Sequence, residues 1–228
     1  MSRADRSGSP VKYADDEADI DAGPKPRFLA DGSGPVHFPS GKVVCSDPCY
    51  ELEPGRLNMS FDLLPGNWHY RCTTVQDTPL GTRVAILGIH HEDHELAPSV
   101  RRDGSLDLRG FTEPTSTQTL GVDSARFGFF DGGMFWNDAA CKEAGYSSWE
   151  HNLESCKTID AVEASYSSWE HILESCKTFD GVTPPPGIVS ASGFGDGEYK
   201  LHSYMDGQKL KAAFIRFISE EEIEQISG

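Results

Sequence analysis

Basic side chains are scarce in this chain of 228 residues: 20 Lys and Arg stand against 36 Asp and Glu, for a formal net charge of −16. Binding to a phosphate backbone draws its affinity from clustered cations. The one dense cluster along the chain is Arg101, Arg102 and Arg109, so the composition argues against nucleic acid as the main partner. Long apolar runs are also missing. No stretch approaches the roughly 20 residues of a membrane span, and no apolar segment of the kind found in secretory leaders follows Met1. These two absences lead us to expect a cytoplasmic protein that does not engage the membrane and keeps its thiols reduced. The cysteines, Cys45, Cys49, Cys72, Cys141, Cys156 and Cys176, are then free rather than paired. Cys45-x-x-x-Cys49 has no second pair at zinc-ribbon spacing, which argues against a structural zinc.

What the chain does contain is turn chemistry. With 23 Gly, 14 Pro and 37% hydrophobic residues, it suits a loop-rich β protein better than a helical bundle. Residues 1–35 are rich in Ser, Asp, Gly, Pro and Ala, too polar to offset their ordering entropy, and are expected to form a disordered arm. Beyond it, short apolar or alternating runs at 36–39, 42–46, 67–75, 83–90, 121–131, 188–192, 199–204 and 211–218 are bounded by turn residues and read as strands. The run at 83–90 is apolar on both faces and is expected to be central. The polar segment 97–120 reads as a long loop. Strands without intervening helices predict a mainly β fold, an antiparallel β-sandwich or open barrel, built from residues 36–138 and 183–218.

One element breaks the pattern. Tyr146 through Thr158 recurs as Tyr166 through Thr178, with Ile172 in place of Asn152. Tyr146, Trp149, Leu153 and Cys156 follow helical spacing, and Ser147-x-x-Glu150 and Ser167-x-x-Glu170 are capping boxes. The duplication predicts a helical hairpin inserted at 139–182, a segment with eight acids against three bases. Trp149 and Trp169 are its candidate protein-contact residues. Residues 219–228 read as a short C-terminal helix capped by Ser219.

Three Asp-bearing turns are the leading site candidates: Asp47 and Cys49 in Ser46-Asp47-Pro48-Cys49-Tyr50, Asp123 and Ser124 after Gly121-Val122, and Asp196 in Gly193-Phe194-Gly195-Asp196-Gly197. Rigid turns would hold their carboxylates at one rim, able to share a ligand or ion. His90, Glu92 and His94 would share one face of a continuing strand, which makes them metal candidates if a turn aspartate completes the shell. A divalent ion is the one cofactor such a set would take. The stronger reading is a solvated strand end, so no cofactor is predicted. Cys49 could be a nucleophile activated by His90 or His91, but this acidic chain offers little to lower a thiol pKa, and a buried structural role is the stronger reading. The glycines around Asp196 precede a strand rather than a helix, so they are not a dinucleotide loop.

Val44-Cys45-Ser46-Asp47-Pro48-Cys49-Tyr50, Pro65-Gly66-x-Trp68, Gly81-Thr82-Arg83-Val84-Ala85, His90-His91-Glu92-Asp93, Gly121-Val122-Asp123-Ser124 and Ser192-Gly193-Phe194-Gly195-Asp196-Gly197-x-Tyr199 occur in this order. Together they resemble the domain of unknown function 4241 family and related phage-borne bacterial proteins. The chain departs from that pattern at Ala125, where a Gly often stands, at Lys200 and in the duplicated segment. The resemblance implies a cytoplasmic accessory protein of a bacterium or its virus, in defence or counter-defence. The leading functional expectation is a non-enzymatic binding module for a small ligand or a protein partner. Alternatives are a small hydrolase using Asp47, Asp123, Asp196 and His90, with or without a divalent metal, and a virion or assembly component.

Overall fold

A computed structural model describes residues 27–51, 58–76, 78, 81–94, 99–100, 106–107, 115–145 and 187–227. Within them the chain is mainly β, with two antiparallel sheets that are not closed into a barrel. The larger sheet has six strands. From one edge these are β1 (Arg27–Val36), β4 (Trp68–Gln76), β5 (Arg83–His91), β12 (Lys209–Arg216), β11 (Gly197–Asp206) and β8 (Ser116–Val122). The smaller sheet runs β10 (Gly187–Ala191), β9 (Arg126–Asp131), β2 (Lys42–Ser46) and β3 (Met59–Asp62). A two-stranded ribbon, β6 (Ser99–Val100) with β7 (Leu106–Asp107), completes the strands.

Alternation along each strand builds the core between the sheets. Val43, Cys45, Phe127 and Phe129 of the smaller sheet belong to one buried cluster with Trp68, Tyr70, Cys72, Leu87, Ile89 and Ile215 of the larger one. The opposite face of the smaller sheet buries Val44, Phe130, Phe135 and Val189 in a second cluster, so β2 and β9 are apolar on both faces. The expectation that 83–90 is central holds: β5 lies between β4 and β12.

Several elements differ from the pattern reading. Residues 27–35, assigned above to the arm, form most of β1, which pairs antiparallel with β4 from Arg27 opposite Gln76 to Val36 opposite Trp68. An edge strand is held by one backbone ladder and needs little apolar periodicity, which is why Gly32, Gly34 and Pro35 concealed it. The polar stretch 97–120 likewise contains β6, β7 and the start of β8, the other edge strand. A six-residue helix, α1 (Asp138–Glu143), was not foreseen; Asn137 caps it by accepting from the Ala140 N–H at 3.2 Å. At the C-terminus, α2 (Glu220–Ser227) forms with the expected cap. The Glu222 N–H donates to Ser219 Oγ at 3.2 Å, and the Ser219 N–H donates back to Glu222 Oε2 at 2.7 Å. The duplicated segment with Trp149 and Trp169, and residues 1–26, lie outside the described residues. Among the described residues no helix is long and apolar enough to cross a membrane.

Candidate functional site

The three aspartate turns do meet, but their chemistry is that of brackets. Asp47 is fully buried and its carboxylate takes four hydrogen bonds. Oδ2 accepts from the N–H groups of Asp123 at 2.9 Å and Ser124 at 2.8 Å; Oδ1 accepts from Ser124 Oγ at 2.7 Å and the Cys49 N–H at 2.8 Å. Asp196 Oδ1 accepts from the Ala125 N–H at 2.9 Å. Ala125 itself stands at φ 55, a left-handed conformation uncommon for a residue with a Cβ. The carboxylates of Asp47 and Asp196 thus hold the β8–β9 turn, satisfying backbone donors that would otherwise be orphaned. Asp123 contributes its backbone to this corner while its residue surface stays exposed. The three turns thus meet at one rim, as expected, with both Asp47 oxygens and one Asp196 oxygen taken up by donors of the turns themselves.

The remaining candidates have other partners. β5 ends at His91, so the strand alternation that would align His90, Glu92 and His94 stops before Glu92. His90 stacks on His69 with ring centroids 5.6 Å apart. Glu92 clasps Asn67, accepting from its N–H at 3.1 Å and from Nδ2 at 2.8 Å. His94 is 7% exposed and tilts against Tyr204. Among the described residues no three His, Cys, Asp or Glu side chains group as metal ligands. Cys49 is exposed. Partial burial and the Asp47 carboxylate push its thiol pKa up, outweighing the opposing effects of Ser124 and Arg126. A thiol held protonated is a poor nucleophile, which weighs against the Cys–His alternative, while the exposed side chain corrects the buried role expected for Cys49. Cys45, Cys72 and Cys141 are buried free thiols.

Sequence reasoning missed a different feature. An open cleft of about 910 Å³ lies where the end of β1 meets the β3–β4 turn, lined by residues that include His37, Phe38, Asp62, Pro65, Trp68, His69, Glu92 and Lys209. Of the candidates named in advance that lie among the described residues, only Glu92 borders it. Trp68 forms part of the wall and is fixed on three sides. Its Nε1 donates to the Leu64 carbonyl at 3.1 Å, and its ring meets Phe38 and His91 edge-on at 6.2 and 5.8 Å. His91 is held in turn: its Nε2 lies 3.0 Å from the Pro65 carbonyl and its Nδ1 accepts from the Asp93 N–H at 3.2 Å. The signal available in the sequence was Pro65-Gly66-x-Trp68, a turn that delivers an aromatic ring to a strand start. Its meeting with His37 and Phe38 depends on the pairing of β1 with β4.

Just beyond β5, His94 carries the largest histidine shift among the described residues. Burial, then the charges of Lys211, His90 and His91, lower its pKa from 6.5 to about 4. Folding therefore favours the neutral ring. The unfolded chain binds more protons between those two values, so this contribution is complete above about pH 6.5 and is lost as pH falls toward about 4. After discounting for solvent screening, the effect is about 1–2 kcal/mol. Thermal melts between about pH 7 and about pH 4.5 should show a shallower loss of stability in His94→Gln than in the wild-type protein. Equal slopes would remove His94 as a source of acid sensitivity.

No family model, curated protein or solved structure matches the chain.

Proposed function

We propose that the chain is a non-enzymatic binding module that takes a small ligand into the cleft between the end of β1 and the β3–β4 turn. The resemblance to the domain of unknown function 4241 family supports an accessory role in a bacterial cell or its virus. The observation that carries the reading is a contrast in how polar groups are used. Asp47 and Asp196 are engaged by backbone donors of the β8–β9 turn, and the Cys49 thiol is held protonated. In the cleft, by contrast, aromatic walls from Phe38 and Trp68 stand beside His37, His69 and Lys209, whose side chains make no hydrogen bonds among the described residues. Apolar walls with a few available polar groups are what ligand sites use to gain both burial and orientation.

The test is a thermal-shift series with nucleotides, amino acids, sugars and carboxylic acids, on the wild-type protein and on His37→Trp, which places a bulky ring at the exposed cleft rim. At least one class should raise the wild-type melting temperature by several degrees and lose most of that effect in the variant. No stabilisation by any class, or equal stabilisation of both proteins, sinks the cleft as a binding site. Hydrolysis of p-nitrophenyl acetate or p-nitrophenyl phosphate that disappears in Asp123→Asn would overturn the non-enzymatic reading in favour of the hydrolase.

A further inference from the structure

The face of the six-stranded sheet turned away from the smaller sheet has an unexpected composition for so acidic a chain. On β4, Trp68, Tyr70 and Cys72 enter the core, so His69 and Arg71 occupy the opposite face. Across the sheet, His69 is opposite His90 and Arg71 is opposite Gly88 on β5; the buried Ala212 and Phe214, then Arg216, of β12 continue the same rows. On β11, His202 pairs with Phe214 and Lys200 with Arg216. These outward positions carry Arg71, Arg216, Lys200 and three imidazoles, and no carboxylate.

We propose that the part of this face adjoining the cleft is an oxyanion site, in which the Arg71 guanidinium and the stacked His69 and His90 imidazoles hold a phosphate group of the ligand. The inference rests on the cleft reading above, because His69 borders the cleft and also stacks on His90, with an interplanar angle of 24°. Three further observations support it. Arg71 is half-buried, yet it makes no ion pair or hydrogen bond among the described residues. A partly desolvated guanidinium without a counter-charge is costly to keep. Gly88 places no side chain beside Arg71, and Phe214 of β12 packs closely over it, since a Cβ there would meet Phe214 Cβ at 3.0 Å, so the face is open to a ligand on the Arg71 and His69 side only. Nearby, the Nε2 of His94 is buried without a hydrogen-bond partner.

The chemistry points to a tetrahedral oxyanion on a small molecule. A guanidinium offers a planar fork to two oxygens, and an imidazole N–H can serve a third; the His90 Nδ1–H is given to the His91 carbonyl at 3.2 Å, so His90 serves through Nε2 once the anion has drawn a proton onto it. Burial is the main cause lowering the His90 pKa, with smaller contributions from His69 and Arg71, so a bound anion would relieve an electrostatic cost already present. An extended polyanion fits poorly, because Asp62 and Glu92 flank the same cleft. A phosphate monoester with an apolar body fits: the phosphate on Arg71, His69 and His90, the body reaching past His69 into the cleft toward Phe38.

The experiment uses the full chain with inorganic phosphate, phenyl phosphate and benzyl alcohol as probes. Calorimetry gives affinity, and NMR of the histidine ring signals gives location. Both phosphates should move the His69 and His90 signals. Phenyl phosphate should bind at least about tenfold more tightly than inorganic phosphate, since its ring is buried. Arg71→Gln should weaken both by about tenfold or more, with Arg71→Lys in between; His90→Gln serves if the arginine variants do not fold. Phosphates that leave His69 and His90 unmoved, or bind Arg71→Gln as they bind the wild-type protein, overturn the oxyanion site. If benzyl alcohol still binds, and His37→Trp blocks it, the cleft survives that failure. Phosphate binding that Arg71→Gln abolishes, with no gain from the phenyl ring, supports the oxyanion site and removes the cleft as its companion.

Discussion

Asp47→Ala should lower the stability of the protein by about 3 kcal/mol, through the loss of a buried charged acceptor rather than of any reaction. The wild-type carboxylate accepts from the backbone N–H groups of Cys49, Asp123 and Ser124 and from the Ser124 hydroxyl, all within 2.9 Å. Removing it leaves three backbone donors to find water or distort, and each unmet buried donor costs about 1–3 kcal/mol. Some relaxation of the turn offsets part of that sum. Asp47→Asn should cost less, because an amide keeps the shape and one acceptor while presenting donors to donors. Urea unfolding is the measurement: the midpoint should fall markedly with an unchanged slope, since the surface exposed on unfolding is the same. Asp123→Ala is the control and should shift stability by no more than about 0.5 kcal/mol, as surface substitutions do. Comparable midpoints for the two alanine variants would show that the bracket is dispensable and would return Asp47 to the list of candidate functional groups.

Gly66→Ala is expected to be nearly as damaging, about 2–3 kcal/mol, for a reason that reaches the cleft. Gly66 has φ +142, where a side chain is strained, and an added Cβ would lie 2.2 Å from His91 Nε2 and 3.1 Å from Glu92 Oε1. The methyl group cannot be accommodated while His91 stays on the Pro65 carbonyl and Glu92 stays on Asn67. Since His91 packs edge-on against Trp68, its displacement should loosen the cleft wall. The melting temperature should drop, and any cleft ligand should bind more weakly at temperatures where the variant is still folded. A variant with wild-type melting and wild-type binding would mean that the β3–β4 turn yields easily and that the cleft is not preorganised.

The strands buried on both faces were legible because burial writes itself into sequence. Val43-Val44-Cys45 and Phe127-Gly128-Phe129-Phe130 are continuous apolar runs, and they became the central strands of the smaller sheet. Ser219 and Glu222 were legible as a cap because a helix start needs a local acceptor three residues away. The edge strands were hidden. β1 and β8 are held by backbone ladders whose donors and acceptors every residue carries, so Gly32 and Pro35 or Thr117 and Gln118 give no apolar signal. Asp131 was overlooked for a similar reason. It sits at the end of an apolar strand, yet it is buried and accepts from the Ser40 N–H at 2.8 Å and the Gly133 N–H at 3.0 Å, the same bracketing role as Asp47. Nothing local predicted that partner, because Ser40 is far away in the chain.

The sequence by itself determined that the chain builds open β layers, that its rigid aspartate turns lie at strand ends, and that its charge is strongly negative. These follow from local rules: alternation, turn residues and composition act within a few positions. The tertiary structure alone decided what the polar groups do. Hydrogen bonding across the β8–β9 turn made brackets of Asp47 and Asp196, which in the sequence looked like a site. Strand register did the opposite for His69, Arg71 and His90. They are scattered among apolar residues along the chain, but pairing β4 with β5 sets them side by side, because residues of one face are gathered by the hydrogen-bond ladder and not by their order in sequence.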